Sequence, residues 1–210
     1  GSPVYTYVVT GEVLVSFEEG NFKFVQDADC GIKVIDDKDA WPSTLGAVGL
    51  TNIKGMIDDS GLEMVFYPVC CYTPDINTDP DDVPVKMLTY DEFVAQCHNN
   101  NAYESMLVQI TDPVMVTGAG LDWVVNEMLD VKNAKGDEEK LIQTVFTTPD
   151  YIGEDIPVEP TVFQGIRTNG EMDDDPYGFI TPRDLDDMME VTAGELIADP
   201  NPASITNVVP

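Results

Sequence analysis

Short apolar runs with polar residues at alternate positions fill the first ninety residues, and turn-like clusters such as EEG, DAD and DDSG separate them. Such alternation is typical of β-strands, and glycine or acidic clusters are typical of the turns between them. The predicted strands are VYTYVVTGEVLVSF, NFKFVQD, CGIKVID, LTNIKGMID and LEMVFYPVCCY. Five short strands with tight turns predict a small barrel or sandwich.

The segment TPDINTDPDDVPV, residues 73–85, interrupts this pattern. It holds three prolines and is too polar for a core element, so it predicts the exit from a first domain. Thr89 then offers an N-cap for a helix through YDEFVAQC, and Glu92 completes a capping box. Strand patterns resume in ESMLVQITDPVMVTG, LDWVVNEML, LIQTVFTT, PTVFQGIRTN and YGFITP. We expect a β domain over 4–86, a linker helix over 87–101, a second, divergent β domain over 102–195 and a tail over 196–210.

Two segments indicate an internal duplication. TNIKGMIDDSGLEMVFYP and TVFQGIRTNGEMDDDPYGFITP both hold a strand with a central glycine, a turn, and a second strand that ends at a proline. The glycines are Gly55 and Gly165. Glycine inside a strand commonly marks a bulge or a sharp bend, which a small closed barrel needs at its corners. Any two hairpins share some of these features, so chance similarity is the alternative.

The segments GEVLVSF, NFKFVQDADCGIKVID and NIKGMIDDSGLEMV resemble the exported OB-fold-like β-barrel domains of surface lipoproteins from gut anaerobic bacteria. YESMLVQITDPVMV and YGFITPRDL resemble the same family, but the second copy lacks a Q-D…G-I equivalent. The pattern of its segment LDWVVNEMLDVKNAKGDEEKLIQTVF fits either a long hairpin or a partly helical structure. The resemblance implies a mainly β chain of two tandem OB-like β-barrels with short linking and C-terminal helices, exported to the cell surface, the outer membrane or the periplasm.

Ten basic residues face thirty-nine acidic ones, giving a net charge of -29. Nucleic-acid binding depends largely on lysine and arginine, so we expect no nucleic-acid partner. Protein partners, neutral glycans and cations remain. No apolar run reaches the roughly 18 residues of a membrane helix, so we expect no direct span. Gly1 is typical of a cleaved expression tag, and we expect any export signal or lipid anchor on a native N-terminus that was trimmed.

Arg183 is the single cation of YGFITPRDLDDMM. Thr181 fits a helix N-cap, Pro182 the first helical position and Asp184 the third. Leu185, with the two methionines that follow it, has helical spacing. We therefore expect a C-terminal helix in which Arg183 pairs locally with acidic residues. The alternative is a ligand-binding arginine, although no phosphate-binding glycine loop accompanies it.

Asp75, Asn77, Asp79 and Asp81 alternate along DINTDPDD, as oxygen ligands do in a calcium loop. An EF-hand would need glycine and glutamate where this chain has Pro80 and Lys86. An exposed acidic linker is the alternative to a calcium site. We predict no other cofactor.

Catalytic patterns are weak. His98 is the only histidine, and at the end of the predicted helix it fits a C-terminal cap or an exposed position better than a general base. Neighbours on a helix point about 100° apart, so Cys97 and His98 should not form a dyad. Cys30, Cys70, Cys71 and Cys97 lack zinc spacing; we interpret them mainly as small apolar side chains, with one oxidised pair as the alternative.

Trp41 lies in a predicted loop, DKDAWPSTLGAVG, and could stack on a sugar ring or plug one end of the barrel. Trp123 lies in an apolar stretch and should be core. The function we expect is non-catalytic binding or assembly, with a protein or glycan partner at the cell surface. The alternatives are a glycan-binding module that uses Trp41, and a hydrolase with a pair of carboxylates that the sequence does not single out.

Overall fold

The computed structural model describes residues 7–9, 13–37, 46–49, 53–70, 75–76, 83–98 and 102–191. The predicted mainly β class is confirmed, because the described strands form two eight-stranded sheets. One sheet belongs to residues 7–76, the first half. The other belongs to residues 86–191, the second half, which also holds the helix.

Eight strands form the sheet of the first half. They are β1 (Tyr7–Val9), β2 (Val13–Glu19), β3 (Phe22–Gln26), β4 (Gly31–Ile35), β5 (Gly46–Gly49), β6 (Ile53–Asp58), β7 (Val65–Cys70) and β8 (Asp75–Ile76). Their order in the sheet is β1-β6-β7-β4-β3-β2-β5-β8. The β4–β7 pair is parallel and the others are antiparallel.

This sheet must curl back towards its own beginning. β1 and β2 lie five pairings apart, which in a flat sheet would separate them by about 24 Å. Along the chain, however, Val9 and Val13 are four residues apart, and the backbone between them spans at most about 14 Å. The two consecutive segments therefore act as one interrupted first strand that pairs with β6 at one end and with β3 at the other.

The second half repeats this order of pairing. Its elements are β9 (Lys86–Leu88), α1 (Tyr90–Cys97), β10 (Leu107–Ile110), β11 (Met115–Val116), β12 (Met128–Lys132), β13 (Glu138–Gln143), β14 (Thr161–Met172), β15 (Asp175–Thr181), a 3₁₀ turn (Leu185–Asp187) and β16 (Met188–Glu190). The main path is β11-β12-β13-β15-β14-β10-β9, and β13–β15 is the parallel pair that corresponds to β4–β7. β10 and β11 are again consecutive segments, and a bridge between Val114, which precedes β11, and Thr161 of β14 links the β11 end of the path back to β14.

The β3–β4 hairpin and the β12–β13 hairpin hold the same place in the two orders of pairing, but their outer surfaces differ. On β3, Phe22 and Phe24 face away from the core of the first half and contact the second half, whereas Val25 faces inward. On β12 and β13 the corresponding outer positions carry cross-strand pairs of opposite charge. These pairs are Asp130 with Lys140 and Lys132 with Glu138. The interior position between them is Val131, which is fully buried.

Helix α1 is confirmed, including its capping box. The Thr89 side chain accepts from the backbone N–H of Glu92, and the Glu92 carboxylate accepts from the backbone N–H of Thr89. The helix does not stand between the halves as a spacer. Phe93 and Cys97 are buried in the core of the second half, and α1 packs against β13 and β15.

The predicted C-terminal helix is wrong. Thr181 belongs to β15, where its hydroxyl lies 2.8 Å from that of Thr168, and Asp184 is the N-cap of a single 3₁₀ turn. The following residues extend as β16 and pair with the first residues of β14. The local capping signals therefore start a single 3₁₀ turn. The residues after it then hydrogen-bond to the free edge of β14, and a longer helix would lose these bonds.

Other local predictions can be compared with the structure directly. The ambiguous stretch before Phe146 is a hairpin, β12–β13, with Gly136 at φ +93° in its turn. Residues 121–127, predicted as strand, form a loop in which the Trp123 side chain turns into the core and the Trp123 backbone N–H donates to the Glu154 carbonyl. The bulge expected at Gly55 is confirmed by a register shift between Lys54 and Gly55.

Candidate functional site

The two halves share an apolar interface. Phe17 and Phe24 of the first half pack with Leu107, Phe146 and Ile166 of the second half. The Phe146 ring is central, with centroid distances of 4.2 Å to Phe17 and 5.7 Å to Phe24. Aromatic pairs at these separations add to the energy of apolar burial. The two halves therefore pack directly against each other through a shared apolar cluster.

Gln26 connects the halves inside this interface. It is 1% exposed, its Nε2 donates to the Pro84 carbonyl at 2.7 Å, and its Oε1 accepts from the Leu107 N–H at 2.6 Å. Both partners are backbone groups that the second half and its entry segment bring to the interface. Buried backbone groups need hydrogen-bond partners, and the Gln26 amide supplies one to each of these two groups. It therefore helps to fix the position of the first half relative to the second.

Further hydrogen bonds surround the apolar contacts. Glu19 Oε1 accepts from the N–H groups of Thr147 and Thr148, each at 2.7 Å, and from the Thr147 hydroxyl at 2.8 Å. Asn169 donates through its backbone to Glu63 and through its side chain to the Leu62 carbonyl. These bonds join the loops of one half to strand and loop residues of the other.

A cavity of about 530 Å³ opens between the halves beside these contacts, and we name it the interface cavity. Its walls are the β2–β3 turn, β3, β4 and the β6–β7 loop of the first half, with β13, the segment after it and β14 of the second half. Its lining residues are Glu19, Gly20, Asn21, Phe22, Phe24, Lys33, Glu63, Gln143, Val145, Phe146, Thr147, Thr168 and Asn169. The volume lies within the usual range of small-molecule sites.

The charged side chains of the interface cavity are engaged with protein partners. Lys33 Nζ lies 2.7 Å from Glu63 Oε2 and 5.3 Å from the centre of the Phe22 ring. Burial raises the pKa of Glu19, but the hydrogen bonds from Thr147 and Thr148 outweigh it and lower the pKa overall. Glu19 is therefore held as a carboxylate by backbone and hydroxyl donors.

Gln143 lines this cavity, but its amide oxygen is covered by the surrounding protein. The residue is 9% exposed, and among the described residues its Oε1 has no hydrogen-bond partner. Gly170 lies against the same amide, because a Cβ placed there would come within 3.2 Å of Gln143 Nε2. A buried polar atom without a partner is costly unless a ligand or water satisfies it. Because this oxygen is covered, a donor in the interface cavity does not reach it unless the Gln143 side chain moves.

Arg167 and Glu104 form a polar cluster next to the interface cavity. Arg167 is 1% exposed, hydrogen-bonds to Asn169, and has one terminal nitrogen without a partner among the described residues. Burial lowers the pKa of Arg167. Glu104 accepts from the Met64 N–H at 2.5 Å, and burial, followed by the nearby charge of Glu63, raises the pKa of its carboxyl. Glu104 also lines a second cavity of about 430 Å³, which is mostly apolar.

The structure places Arg183 away from the interface cavity but still between the halves. Its side chain pairs with Asp187 at 2.7 Å, which confirms the predicted local pairing with an acid. It also donates to the Ser16 carbonyl of the first half at 3.0 Å. Arg183 thus joins the end of the second half to β2, a role that sequence reasoning missed.

Several predicted site residues lie outside the described part of the chain. Trp41, Asn77, Asp79 and Asp81 are among them, and of Asp75 only the backbone is described, as part of β8. The calcium and tryptophan hypotheses therefore stay predictions. Within the described ranges, no group of three or more His, Cys, Asp or Glu side chains could hold a metal ion.

The Cys97 and His98 predictions can be judged. Cys97 is a buried free thiol whose pKa burial raises to about 12, whereas His98 is the exposed C-cap of α1. The His98 ring lies edge-on to Tyr177, with centroids 4.9 Å apart.

Cys30 is also a free thiol but is exposed, so its interpretation as a small apolar side chain is wrong. Trp123 is core as predicted, at 1% exposed.

A scan against protein-family models found no match, and searches of curated proteins and of solved structures found none either. No helix in the described part of the chain is long and apolar enough to cross a membrane.

Proposed function

We propose that this chain is a non-catalytic binding protein whose ligand occupies the interface cavity. The observation that carries the proposal is a cavity of ligand size between the halves, whose lining combines the apolar rings of Phe22, Phe24 and Phe146 with polar side chains such as Glu19 and Thr168. Binding sites commonly combine apolar walls with a few convergent polar groups, and they occur preferentially between domains. The interface cavity has both properties.

We further propose that the halves are duplicated OB-like barrels. Each has an interrupted first strand, a meander of three strands and a parallel pairing between the third and fifth strands. OB barrels bind ligands on the face of strands two and three and on the adjoining loops. In the first half these are β3, β4, the Gly20–Asn21 turn and the β6–β7 loop, which together form one wall of the interface cavity.

The location and partners that fit this proposal are those of an exported protein at the cell surface, the outer membrane or the periplasm. The net charge of -29 favours neutral or protein partners over nucleic acid. We also propose that docking of the halves serves assembly, because their shared apolar core fixes one binding surface from two units.

The carboxylates of the interface cavity favour binding over hydrolysis. An acid-pair hydrolase needs one carboxyl to protonate a leaving group and another to act as base or nucleophile. Glu63 is ion-paired with Lys33, and Glu19 is committed to three donors from Thr147 and Thr148. Both carboxylates hold the halves together at these positions.

Nuclear magnetic resonance of the full chain tests the proposal. Probes of four classes, namely neutral oligosaccharides, amines, carboxylates and aromatic amino acids, would be titrated while the Gln143 side-chain amide and the Thr147 amide are followed. At least one class should shift these signals and leave that of Val158, which is 60% exposed and outside the interface cavity, unchanged. If every class left the cavity signals in place, the proposed function would be wrong.

A further inference from the structure

We propose that the chain has a second ligand site, in the cavity of about 430 Å³ that Glu104 lines, and that its ligand is a small amine with an apolar tail. The tail contacts the apolar walls of this cavity, which we name the Asp27 cavity, and the ammonium group lies beside Asp27 and Asp29. None of the residues that line the Asp27 cavity also lines the interface cavity, so the two sites are separate.

The walls of the Asp27 cavity are apolar and continuous with the core of the first half. Val25 belongs to that core and is 1% exposed, and Val9, Val13 and Ile32 pack against the core while they line the cavity. The volume lies within the usual range of small-molecule sites. An apolar tail gains affinity there because it leaves water for an apolar surface.

A loop of the second half completes the Asp27 cavity. Tyr103 and Glu104 line it, and Glu104 Oε1 accepts from the Met64 N–H at 2.5 Å. Gly31 makes the close approach of this loop possible, because a Cβ at that position would come within 2.6 Å of the Ser105 backbone. Tyr103 and Ser105 both have φ of 61°, in the left-handed region that residues other than glycine rarely adopt. Surrounding contacts therefore hold the loop in place, and the cavity is formed before a ligand binds.

The charge of the Asp27 cavity favours a cation. Among the described residues, its lining includes the carboxyl groups of Asp27, Asp29 and Glu104 and no Lys, Arg or His side chain. Arg167 lies near Glu104, but it is 1% exposed and does not line the cavity. Within the described ranges, neither aspartate has an ion pair. An ammonium group in the cavity therefore meets two carboxylates that no cation neutralises.

Asp27 is held in its ionised form by the turn that it begins. Its Oδ1 accepts from the N–H groups of Asp29 and Cys30 at 2.8 and 2.9 Å. Burial raises the pKa of Asp27, but these hydrogen bonds outweigh it and lower the pKa overall. Both backbone donors bond to Oδ1, and Oδ2 is the oxygen that an ammonium group meets. A carboxylate ligand with the same tail would instead meet like charges, in a chain of net charge -29.

Four probes separate the charge of the ligand from its tail. Octylamine, which is cationic at neutral pH, is compared with octanoate, which has a similar tail and the opposite charge, with octanol, which is uncharged, and with methylamine, which has the charge but almost no tail. Each probe is titrated into the full chain at fixed ionic strength while nuclear magnetic resonance follows the Gly31 amide. Octylamine should shift this signal, and each of the other three should bind at least about tenfold more weakly, a loss of about 1.4 kcal/mol or more.

Paired substitutions locate the ammonium group. Asparagine removes the charge and keeps a side-chain oxygen that can accept the hydrogen bonds of the turn. Asp27→Asn combined with Asp29→Asn should weaken octylamine binding at least about tenfold. Asp58→Asn combined with Asp59→Asn is the matched control, because it changes the net charge equally, Asp58 also accepts from a turn N–H, that of Ser60, and neither residue lines the cavity. The control should bind octylamine as the wild-type protein does.

The probe comparison uses the unmodified chain, so it tests the charge preference even if a variant does not fold. Octanoate or octanol binding as tightly as octylamine, or equal octylamine affinity in the two double variants, would overturn the inference. If octylamine shifted the Thr147 amide and left Gly31 unchanged, the amine would occupy the interface cavity; the proposed function would then gain support and the second site would be refuted. If no probe shifted Gly31, the second site would also be refuted, and the proposed function, which is followed at Thr147, would be unaffected.

Discussion

Substitution of Gln26 tests directly whether hydrogen bonds between the halves stabilise the protein. Its amide is buried between two backbone groups, the Pro84 carbonyl and the Leu107 N–H. Gln26→Leu keeps the size of the side chain but removes both hydrogen bonds. The Leu107 N–H lies in the buried core, where Leu107 is only 2% exposed, whereas Pro84 is half-buried.

The expected cost follows mainly from the Leu107 N–H. A buried backbone group left without a partner costs about 1–3 kcal/mol, so the free energy of unfolding should fall by at least about that amount. A domain is commonly stable by only about 5–15 kcal/mol, so the loss should be a large fraction of the total. Gln109→Leu on β10 is the matched control: Gln109 is partly exposed, and the same substitution there should change stability by less than about 1 kcal/mol.

Urea unfolding and native-state hydrogen exchange together measure this effect. The midpoint should fall with little change in the urea dependence, and the Leu107 amide should lose more protection than amides of the β6–β7 hairpin. If Gln26→Leu cost less than about 1 kcal/mol and the Leu107 amide stayed protected, the hydrogen-bonded connection between the halves would be refuted.

Two further predictions concern charged groups at the same interface. Because the pKa of Glu104 is raised above its ordinary 4.5, the folded state holds its proton more tightly than the unfolded state; stability from this group is present at and below about pH 4.5 and is lost as pH rises through the folded pKa. Relative to Glu104→Gln, the wild-type protein should therefore weaken as pH rises from 4.5, and parallel urea midpoints of the two proteins from pH 4.5 to 8 would contradict this. Arg183→Gln should cost about 3–5 kcal/mol because it leaves the Asp187 carboxylate, whose side chain is 1% exposed, without its cation. Thermal unfolding would measure this loss, and adding Asp187→Asn should recover part of it; a double variant no more stable than the single one would argue against the ion pair as the cause.

Local signals in the sequence were sufficient for most strands and for α1, but not for β5 and β8, which lie in segments predicted as loops, nor for the loop at residues 121–127. The capping box of Thr89 and Glu92 involves residues three apart, so its geometry is fixed by the helix itself. The C-terminal signals around Thr181 and Asp184 were of the same kind, yet the prediction failed because β14 lies alongside and offers a strand edge. Tertiary contacts override local preference where the local element is short.

The interface and its cavity could not be located from local signals. Phe17 and Phe146 have the character of core residues in the sequence, and nothing nearby shows that they belong to opposite halves. One signal was present: β3 carries Phe22 and Phe24 on one face and Val25 on the other, and a strand that is apolar on both faces indicates a second layer. The Arg183 contact with Ser16 joins residues 167 apart, beyond any local pattern.

The charge pairs on β12 and β13 limit how such units can be chained. A unit that docks its neighbour by one surface and offers the same surface again makes a head-to-tail contact, and repeated contacts of that kind grow into open filaments. Here the first unit offers phenylalanines at the outer positions of its second strand, whereas the second offers Asp130, Lys132, Glu138 and Lys140. Another β unit docked in the same manner would desolvate four charges. The second half therefore does not repeat the docking surface that the first half uses.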